Sequence, residues 1–297
     1  MWIWLVLLYG VLKGAREICK KKALLTCSSI EVLLIYSIVA FLMVCPDIPN
    51  AMGMEPVFYL FVAIKSFIIF IAWICSFKAI KHLPLSLYGV LDLSRVLFAT
   101  LLGVTVLGES LGLFNCIGLV LVCLGLLMLK FRPILPGKAK ATDATTQAGA
   151  TEHVKPIIIT MALLSCVLNA ISGLMDKILT KYITSSQLQF WYMLFLCVFY
   201  IIYAVISHSE INIKKAISNK WIWLLSLMFV IADRALFVAN SMEESQITIM
   251  TLLKQAGCIV TILGGRFVFK EKKIGHKIVC AIIIIIGIVL GTISTTF

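Results

Sequence analysis

Apolar residues along this chain fall in long unbroken runs, without the one-faced or alternating spacing of a water-soluble core. A helix needs about 20 residues to cross roughly 30 Å of hydrocarbon. Ten runs meet that length, at about 2–19, 29–45, 57–79, 84–106, 110–129, 154–176, 185–206, 220–240, 245–268 and 274–294. Such runs predict helices, because a helix satisfies its own backbone polar groups in lipid. Strands of a membrane barrel would be about half as long and would alternate in polarity. The connections are short, with one exception. Residues 132–153 (RPILPGKAKATDATTQAGATEH) mix Pro, Gly, Ala and Thr without an apolar period and read as a flexible linker. The expected organisation is a first five-helix half over 1–130, a linker over 131–153 and a second five-helix half over 154–297.

The two halves can be brought into register. Gly14, Glu17 and Lys22 match Gly173, Asp176 and Lys181 at a constant offset of 159. Gly103, Glu109 and Gly125 match Gly265, Glu271 and Gly287 at an offset of 162, which sets Asp92 opposite Lys254 and Tyr88 opposite Met250. Five spans per half is an odd number, so the halves must insert in opposite orientations. The predicted fold class is an all-α membrane protein: ten transmembrane helices in two inverted five-helix repeats around a central cavity.

The turn Val106-Leu107-Gly108-Glu109, followed by Gly118 and Gly125, and its weaker copy Phe269-Lys270-Glu271 with Gly287 and Gly291, resemble the EamA-type members of the drug/metabolite transporter superfamily. The likeness extends over nearly the whole chain outside the linker. The second copy departs from the family pattern at Lys270 and Cys280, where glycine is usual. The glycines read as structural, allowing tight turns and close helix packing. The resemblance implies a ten-helix basket in which spans 1–4 and 6–9 line the cavity and spans 5 and 10 support it from outside. Relatives of this kind include amino-acid and metabolite exporters, nucleotide-sugar carriers and sugar-phosphate translocators.

Composition agrees with a lipid solvent: 61% hydrophobic residues, 13% charged and a mean hydropathy of +1.06. The formal charge of +12 does not point to nucleic acid, because the lysines lie mainly in short connections beside headgroups. The positive-inside rule puts the linker side in the cytoplasm and both termini outside, whereas the resemblance implies cytoplasmic termini. The apolar run 1–12 precedes its basic cluster Lys20–Lys22 and reads as a retained first span, not a cleaved leader. The ten cysteines are scattered without a CxxC and the four histidines lie far apart. Cys75, Cys116, Cys123, Cys166 and Cys258 read as buried packing residues; no disulfide framework, metal or cofactor is expected. No G-x-x-x-x-G-K-[ST] sequence and no catalytic constellation occurs, so an enzyme or built-in ATPase is not expected.

Ionisable groups inside spans are costly and therefore informative. Tyr88, Asp92 and Arg95 share one helical face, either as a self-neutralising pair or as a cavity wall. Lys254, with Gln255 beside it, is expected to face Asp92 across the cavity as a gate or static cross-link. Lys65 and Trp73 share a face of span three, with Lys65 either holding an anionic group or snorkelling to an interface. Asp233 and Arg234 point about 100° apart and need not pair with each other. Trp191 and Tyr192, near the start of span seven with Gln187 and Gln189, read as interfacial anchors, with substrate stacking as the alternative. Tyr9, Lys13, Arg16, Glu17 and Lys20 run down one side of span one, and Glu17 and Asp176 are expected to pair locally with Lys20, Lys21 or Lys181.

The substrate-binding or gating candidates are thus Lys65, Trp73, Tyr88, Asp92, Arg95, Asp233, Arg234, Lys254 and Gln255. A mixed but positive-leaning cavity suits a zwitterionic or anionic solute such as an amino acid or a phosphorylated compound. The function expected is secondary active transport of a small polar metabolite by alternating access, as exporter or exchanger. The coupling partner would be a proton or counter-solute, and the place the cell membrane. A flippase for a lipid with an anionic or amino-sugar headgroup is the alternative.

Overall fold

In the computed structural model the chain is described over residues 2–108, 112–130, 156–207, 211–271 and 275–293. The expected linker 131–153 and Glu109 lie outside these residues. All regular structure among the described residues is helical. Helix α1 covers Trp2–Leu24 and α2 Ser29–Val44, continued by a tight turn at Cys45–Asp47 into the short α3, Ile48–Ala51. Next come α4 (Pro56–His82), α5 (Leu85–Leu91), α6 (Arg95–Leu107) and α7 (Leu113–Lys130). The second half holds α8 (Pro156–Leu179), α9 (Ser185–Ile206), the short α10 (Ile213–Ile217), α11 (Lys220–Asn240), α12 (Ile247–Lys254), α13 (Gly257–Phe267) and α14 (Gly275–Ile293).

Helix occupies the described part of each of the ten apolar runs. Six stretches are long and apolar enough to cross a membrane by length and composition: Ser29–Ala51, Pro56–His82, Leu85–Leu107, Pro156–Leu179, Ser185–Ile206 and Lys220–Asn240. Helix α1 falls outside that set because Lys13, Arg16, Glu17 and Lys20 interrupt its apolar character. The ninth run falls outside it because its helix is broken between α12 and α13. The surface is apolar, with Leu42, Leu60, Phe61, Val205 and Ile206 exposed, while Lys65, Ser66, Asp92, Gln189 and Lys254 are buried. That inversion of the soluble pattern is what a lipid solvent selects. The protein is a multi-pass integral membrane protein. Cys166 and Cys258 are buried as expected, but Cys116 is exposed on α7, on the apolar outer surface.

Local sequence explains the boundaries. The second helix of each half opens on a capping box: Ser28 with Glu31 before α2, and Thr184 with Gln187 before α9. In each, the hydroxyl accepts from the third backbone N–H while the Glu or Gln accepts from the cap N–H, satisfying two otherwise orphaned donors. Helix α6 ends at Gly108 with φ of 66°. Its register mate Lys270 has φ of 52°, a left-handed conformation that costs a side-chain-bearing residue roughly 1–2 kcal/mol. Glycine there escapes that cost but loses more chain entropy on folding, about 0.5–1 kcal/mol. Lys270→Gly is therefore expected to stabilise the protein by up to about 1 kcal/mol, read as a raised melting temperature in detergent; an unchanged or lowered value would refute the strain.

Packing pairs elements from opposite halves. Helix α1 lies along α11, α4 along α8, α2 against α9, and α7 along α14, while α5–α6 meets α12–α13. The α7–α14 contact uses the glycines of the sequence motif. A Cβ on Gly125 would meet Ile284 and the Cys280 carbonyl, and one on Gly287 would meet the Gly118 carbonyl. Helices α5–α6 are interrupted at Asp92–Ser94 and α12–α13 at Gln255–Ala256, register-equivalent positions at the offset of 162. Next to the second break, Gly257 lies against Gly10 and Gly14 of α1.

Candidate functional site: a buried polar cavity

A cavity of about 90 Å³, measured at the centre of a water-sized sphere, lies among α1, α2, α4, α5–α6, α8, α9, α11 and α12. Neither α7 nor α14 contributes to its wall. A single water needs about 10–15 Å³ on that measure, so the space suits a compact solute. Its wall carries an unusual charge density for a membrane interior.

One side is the charged face of α1. Lys13, Arg16, Glu17 and Lys20 follow the i, i+3, i+4, i+7 spacing that keeps side chains on one face, and all four line the cavity. Lys20 Nζ donates to Glu17 Oε1 at 2.7 Å. Lys13 donates to Asp92 Oδ2, and Arg95 Nη2 donates to Asp92 Oδ1 at 2.8 Å. Asp92 thus holds two bases at the α5–α6 break. Arg16 Nη1 donates to Asp233 Oδ1 of α11 at 3.3 Å. Lys65 Nζ of α4 stands 2.9 Å from Asp176 Oδ1 of α8, out of line for a hydrogen bond to that oxygen. It also lies 3.3 Å from the ring centroid of Tyr192 and 5.0 Å from that of Phe237. A desolvated ammonium gains from both the carboxylate and the π faces.

The opposite wall is aromatic. Trp73 packs 5.5 Å from Tyr36 and 5.0 Å from Phe229 between ring centroids. The Arg16 guanidinium sits 5.2 Å from the Phe229 ring and 5.5 Å from Tyr9. Tyr88 shares a 2.6 Å hydroxyl contact with Ser76. Among the described residues Glu17 Oε2, Arg95 Nε, Asp176 Oδ1 and Gln255 Nε2 are buried without a hydrogen-bond partner, which leaves both donors and acceptors for water or solute.

Of the sequence candidates, Lys65, Trp73, Tyr88, Arg95, Asp233 and Lys254 line this cavity. Asp92 and Gln255 line a small annex beside it, with Lys13, Gly14 and Gly257. Four expectations change. Asp92 does not pair with Lys254, because Lys13 and Arg95 already occupy it. Lys254 has no ion-pair partner among the described residues; its ammonium stands 5.6 Å from the Tyr9 ring, within the fields of Asp176, Arg95, Lys13 and Asp233. Arg234 is not at the cavity: it bonds Asp47 and, at 2.7 Å, Ser186 Oγ, tying α11 to the α2–α3 turn and the start of α9. Tyr192 is no interfacial anchor but a fully buried ring under Lys65. Asp176 takes Lys65 across the halves, not a local lysine. Trp191 does reach the α3 end, donating to the Ala51 carbonyl at 3.0 Å.

Two further contacts tie helix ends together outside the cavity lining. Lys177 Nζ donates to the Asn240 and Met242 carbonyls at 3.0 and 3.2 Å and to Ser245 Oγ at 2.5 Å. It satisfies carbonyls left open at the α11 C-terminus. Elsewhere Glu271 accepts from the Leu85 N–H at 2.9 Å and from the Ser86 hydroxyl, capping α5 with a residue from the C-terminal part of the chain.

A multi-pass helical protein enclosing a buried, ion-paired cavity has the architecture expected of a membrane carrier. Residues 1–131 match the family model described as "EamA-like transporter family". Over that first part of its 297 residues the chain is similar to EamA-type membrane transporters of the drug/metabolite transporter superfamily. A solved protein, described only as "Crystal structure of protein", shares the fold at a TM-score of 0.66 and 12% identity, over 96% of this chain and 98% of that one. No curated protein matches the sequence.

Proposed function

We propose that the protein is a secondary active transporter, exporter or exchanger, of a small zwitterionic or anionic metabolite in the cell membrane, working by alternating access. The reading takes residues 1–130 and 154–297 as two inverted five-helix repeats, ten spans in all, joined by the linker. In its support, helix contacts come in register-related pairs: α1 on α11 with α4 on α8, and α4 on α9 with α2 on α11. Both half-broken helices meet the cavity, as at the midplane sites of transporters.

The single observation that carries the solute class is the wall itself: four acids, the buried Asp92, Asp176 and Asp233 and the part-buried Glu17, each held by at least one base, with cations left over. Charges in lipid are retained where water and solute pass. Lys65, Asp92, Arg95, Asp233 and Lys254 are the residues in this reading that meet the solute or exchange partners as the cavity opens; Trp73 and Tyr88 shape its walls, and Gln255 its annex. The cross-half pairs Lys65–Asp176 and Arg16–Asp233 hold the occluded form together. Coupling comes from a proton or counter-solute.

Counterflow in proteoliposomes tests this. Vesicles preloaded with amino acids, dicarboxylates or phosphate are expected to accumulate the matching labelled solute without nucleotide. Accumulation confined to lipophilic cations such as tetraphenylphosphonium would refute the solute class, and movement of labelled phospholipid alone would replace it with a flippase.

A further inference from the structure

The charges around the cavity do not balance. Six bases, Lys13, Arg16, Lys20, Lys65, Arg95 and Lys254, face four acids, Glu17, Asp92, Asp176 and Asp233, a surplus of two. Glu17, Asp176 and Asp233 each hold one base, and Asp92 holds both Lys13 and Arg95. The surplus is therefore local: one charge at the Lys13–Arg95 pair and one at Lys254. These three groups line one cavity and act on one another electrostatically, and Asp176, which is paired with Lys65, also acts on Lys254. They gather at the two helix breaks.

The repeat explains the asymmetry. Lys13 and Asp92 in the first half correspond to Ser172 and Lys254 in the second. At the second break the acid has become a base, and the base it would have held has become a hydroxyl. The second half thus presents a buried ammonium, 9% exposed and turned to the cavity, with no counter-ion of its own among the described residues. Arg95 Nε and Gln255 Nε2 are buried donors that make no hydrogen bond among the described residues. Uncompensated cations away from water are costly, and an anion at that spot removes the cost.

We propose that Lys13, Arg95 and Lys254 form a subsite for a doubly charged anionic group on the transported solute, a phosphate monoester or a dicarboxylate, with Lys254 as its anchor. The inference rests on the transporter reading and narrows it. A zwitterion would leave the surplus of two untouched and a monocarboxylate would halve it; a dianion cancels it. Arg95 supplies a planar fork that matches phosphate or carboxylate oxygens, and Lys13 and Lys254 supply point charges. The hydroxyls of Ser172 and Thr251 line the same space and add neutral donors.

The test uses purified full-length protein in detergent, with calorimetry and thermal shift against inorganic phosphate at pH 7.5, succinate, acetate, glycine and tetramethylammonium. Phosphate or succinate is expected to bind and raise the melting temperature, with acetate at least about tenfold weaker and glycine and tetramethylammonium silent. Which dianion binds separates the phosphate source from the dicarboxylate one. Lys254→Met is expected to weaken that binding about 100-fold, while its ligand-free melting temperature equals or exceeds that of the wild type. This second reading excludes misfolding as the cause. Lys254→Arg retains binding, as does Lys181→Met at an exposed position. Binding to Lys254→Met within threefold of wild type, glycine equal to the dianions, or no response to either dianion would overturn the proposal. Proteoliposomes that move glycine but neither dianion would sink it while leaving the transporter reading intact; vesicles that move no solute would count against that reading itself.

Discussion

Replacing Gly257 by valine is expected to prevent assembly of the helix bundle. The residue opens α13, next to the break after Lys254, and α1 crosses it at backbone contact. A Cβ there would stand 2.2 Å from the Gly10 carbonyl oxygen and 3.1 Å from the Gly14 nitrogen, and a Cβ on Gly14 would stand 2.4 Å from the Gly257 carbonyl. The neighbours are main chain, so no rotamer change can make room. Close approach of this kind is how small residues drive helix association in lipid, where the hydrophobic effect between helices is absent. Overpacking against an adaptable core costs about 1–3 kcal/mol; against two fixed helices, valine should exceed that range and alanine fall within it. Gly173, the register mate of Gly14, has no atom within 4 Å of a built Cβ. Gly173→Ala should therefore leave the melting temperature unchanged. Size-exclusion profiles and thermal unfolding in detergent would read the series, and a monodisperse, wild-type-like Gly257→Val protein would refute the contact.

That contrast follows the register expected from the sequence. At the offset of 162, Gly257 corresponds to Arg95. Helix α1 packs at backbone contact on Gly257, whereas α8, which packs against α6, has open space beside Gly173. Both Arg95 and Gly173 line the cavity. The space opens on the side where the bulky partner sits.

The runs of apolar residues located the helices, because span length and backbone satisfaction in lipid leave few alternatives. The capping boxes at Ser28–Glu31 and Thr184–Gln187 were equally legible, as S/T-x-x-E/Q patterns ahead of apolar runs. So was the charged face of α1, whose spacing is written at Lys13, Arg16, Glu17 and Lys20. What the chain did not disclose was which acid each base would take. Register made Asp92 and Lys254 equivalent, but equivalence under a two-fold is not contact. Asp92 is claimed within its own half by Lys13, one helix away. Arg234 shows the same limit. Its neighbour Asp233 faces the cavity, and a step of about 100° around α11 carries Arg234 to Asp47. Tyr192 reads like a headgroup anchor because it lies near the start of an apolar run, yet it is the π face beneath Lys65. Pairings between elements far apart in sequence depend on helix rotation and tilt, which a one-dimensional pattern does not encode.

Breaking the Lys65–Asp176 pair from one side should be far more damaging than removing it altogether. Both side chains are nearly inaccessible, at 2% and 8%. Removing one partner of a buried pair leaves the other uncompensated, at a cost of about 3–5 kcal/mol. The two single variants should differ. Lys65→Met strands a carboxylate close to the negative faces of aromatic rings, whereas Asp176→Asn leaves an ammonium that the Tyr192 and Phe237 rings still attract. Lys65→Met is therefore the more destabilising, and the double variant should recover most of the loss, since neither charge then remains to be desolvated. Arg234–Asp47 provides the comparison. Its partners are 34% and 21% exposed, and disrupting it should cost only about 1 kcal/mol or less. Melting temperatures of the two singles and the double form the cycle. Additive losses would mean that the ammonium and carboxylate do not sense each other, and the tie between α4 and α8 would then rest on apolar packing alone. A non-additive recovery would instead assign that tie to the pair, so that opening the cavity between the halves requires another partner for each charge, which water or an incoming solute supplies.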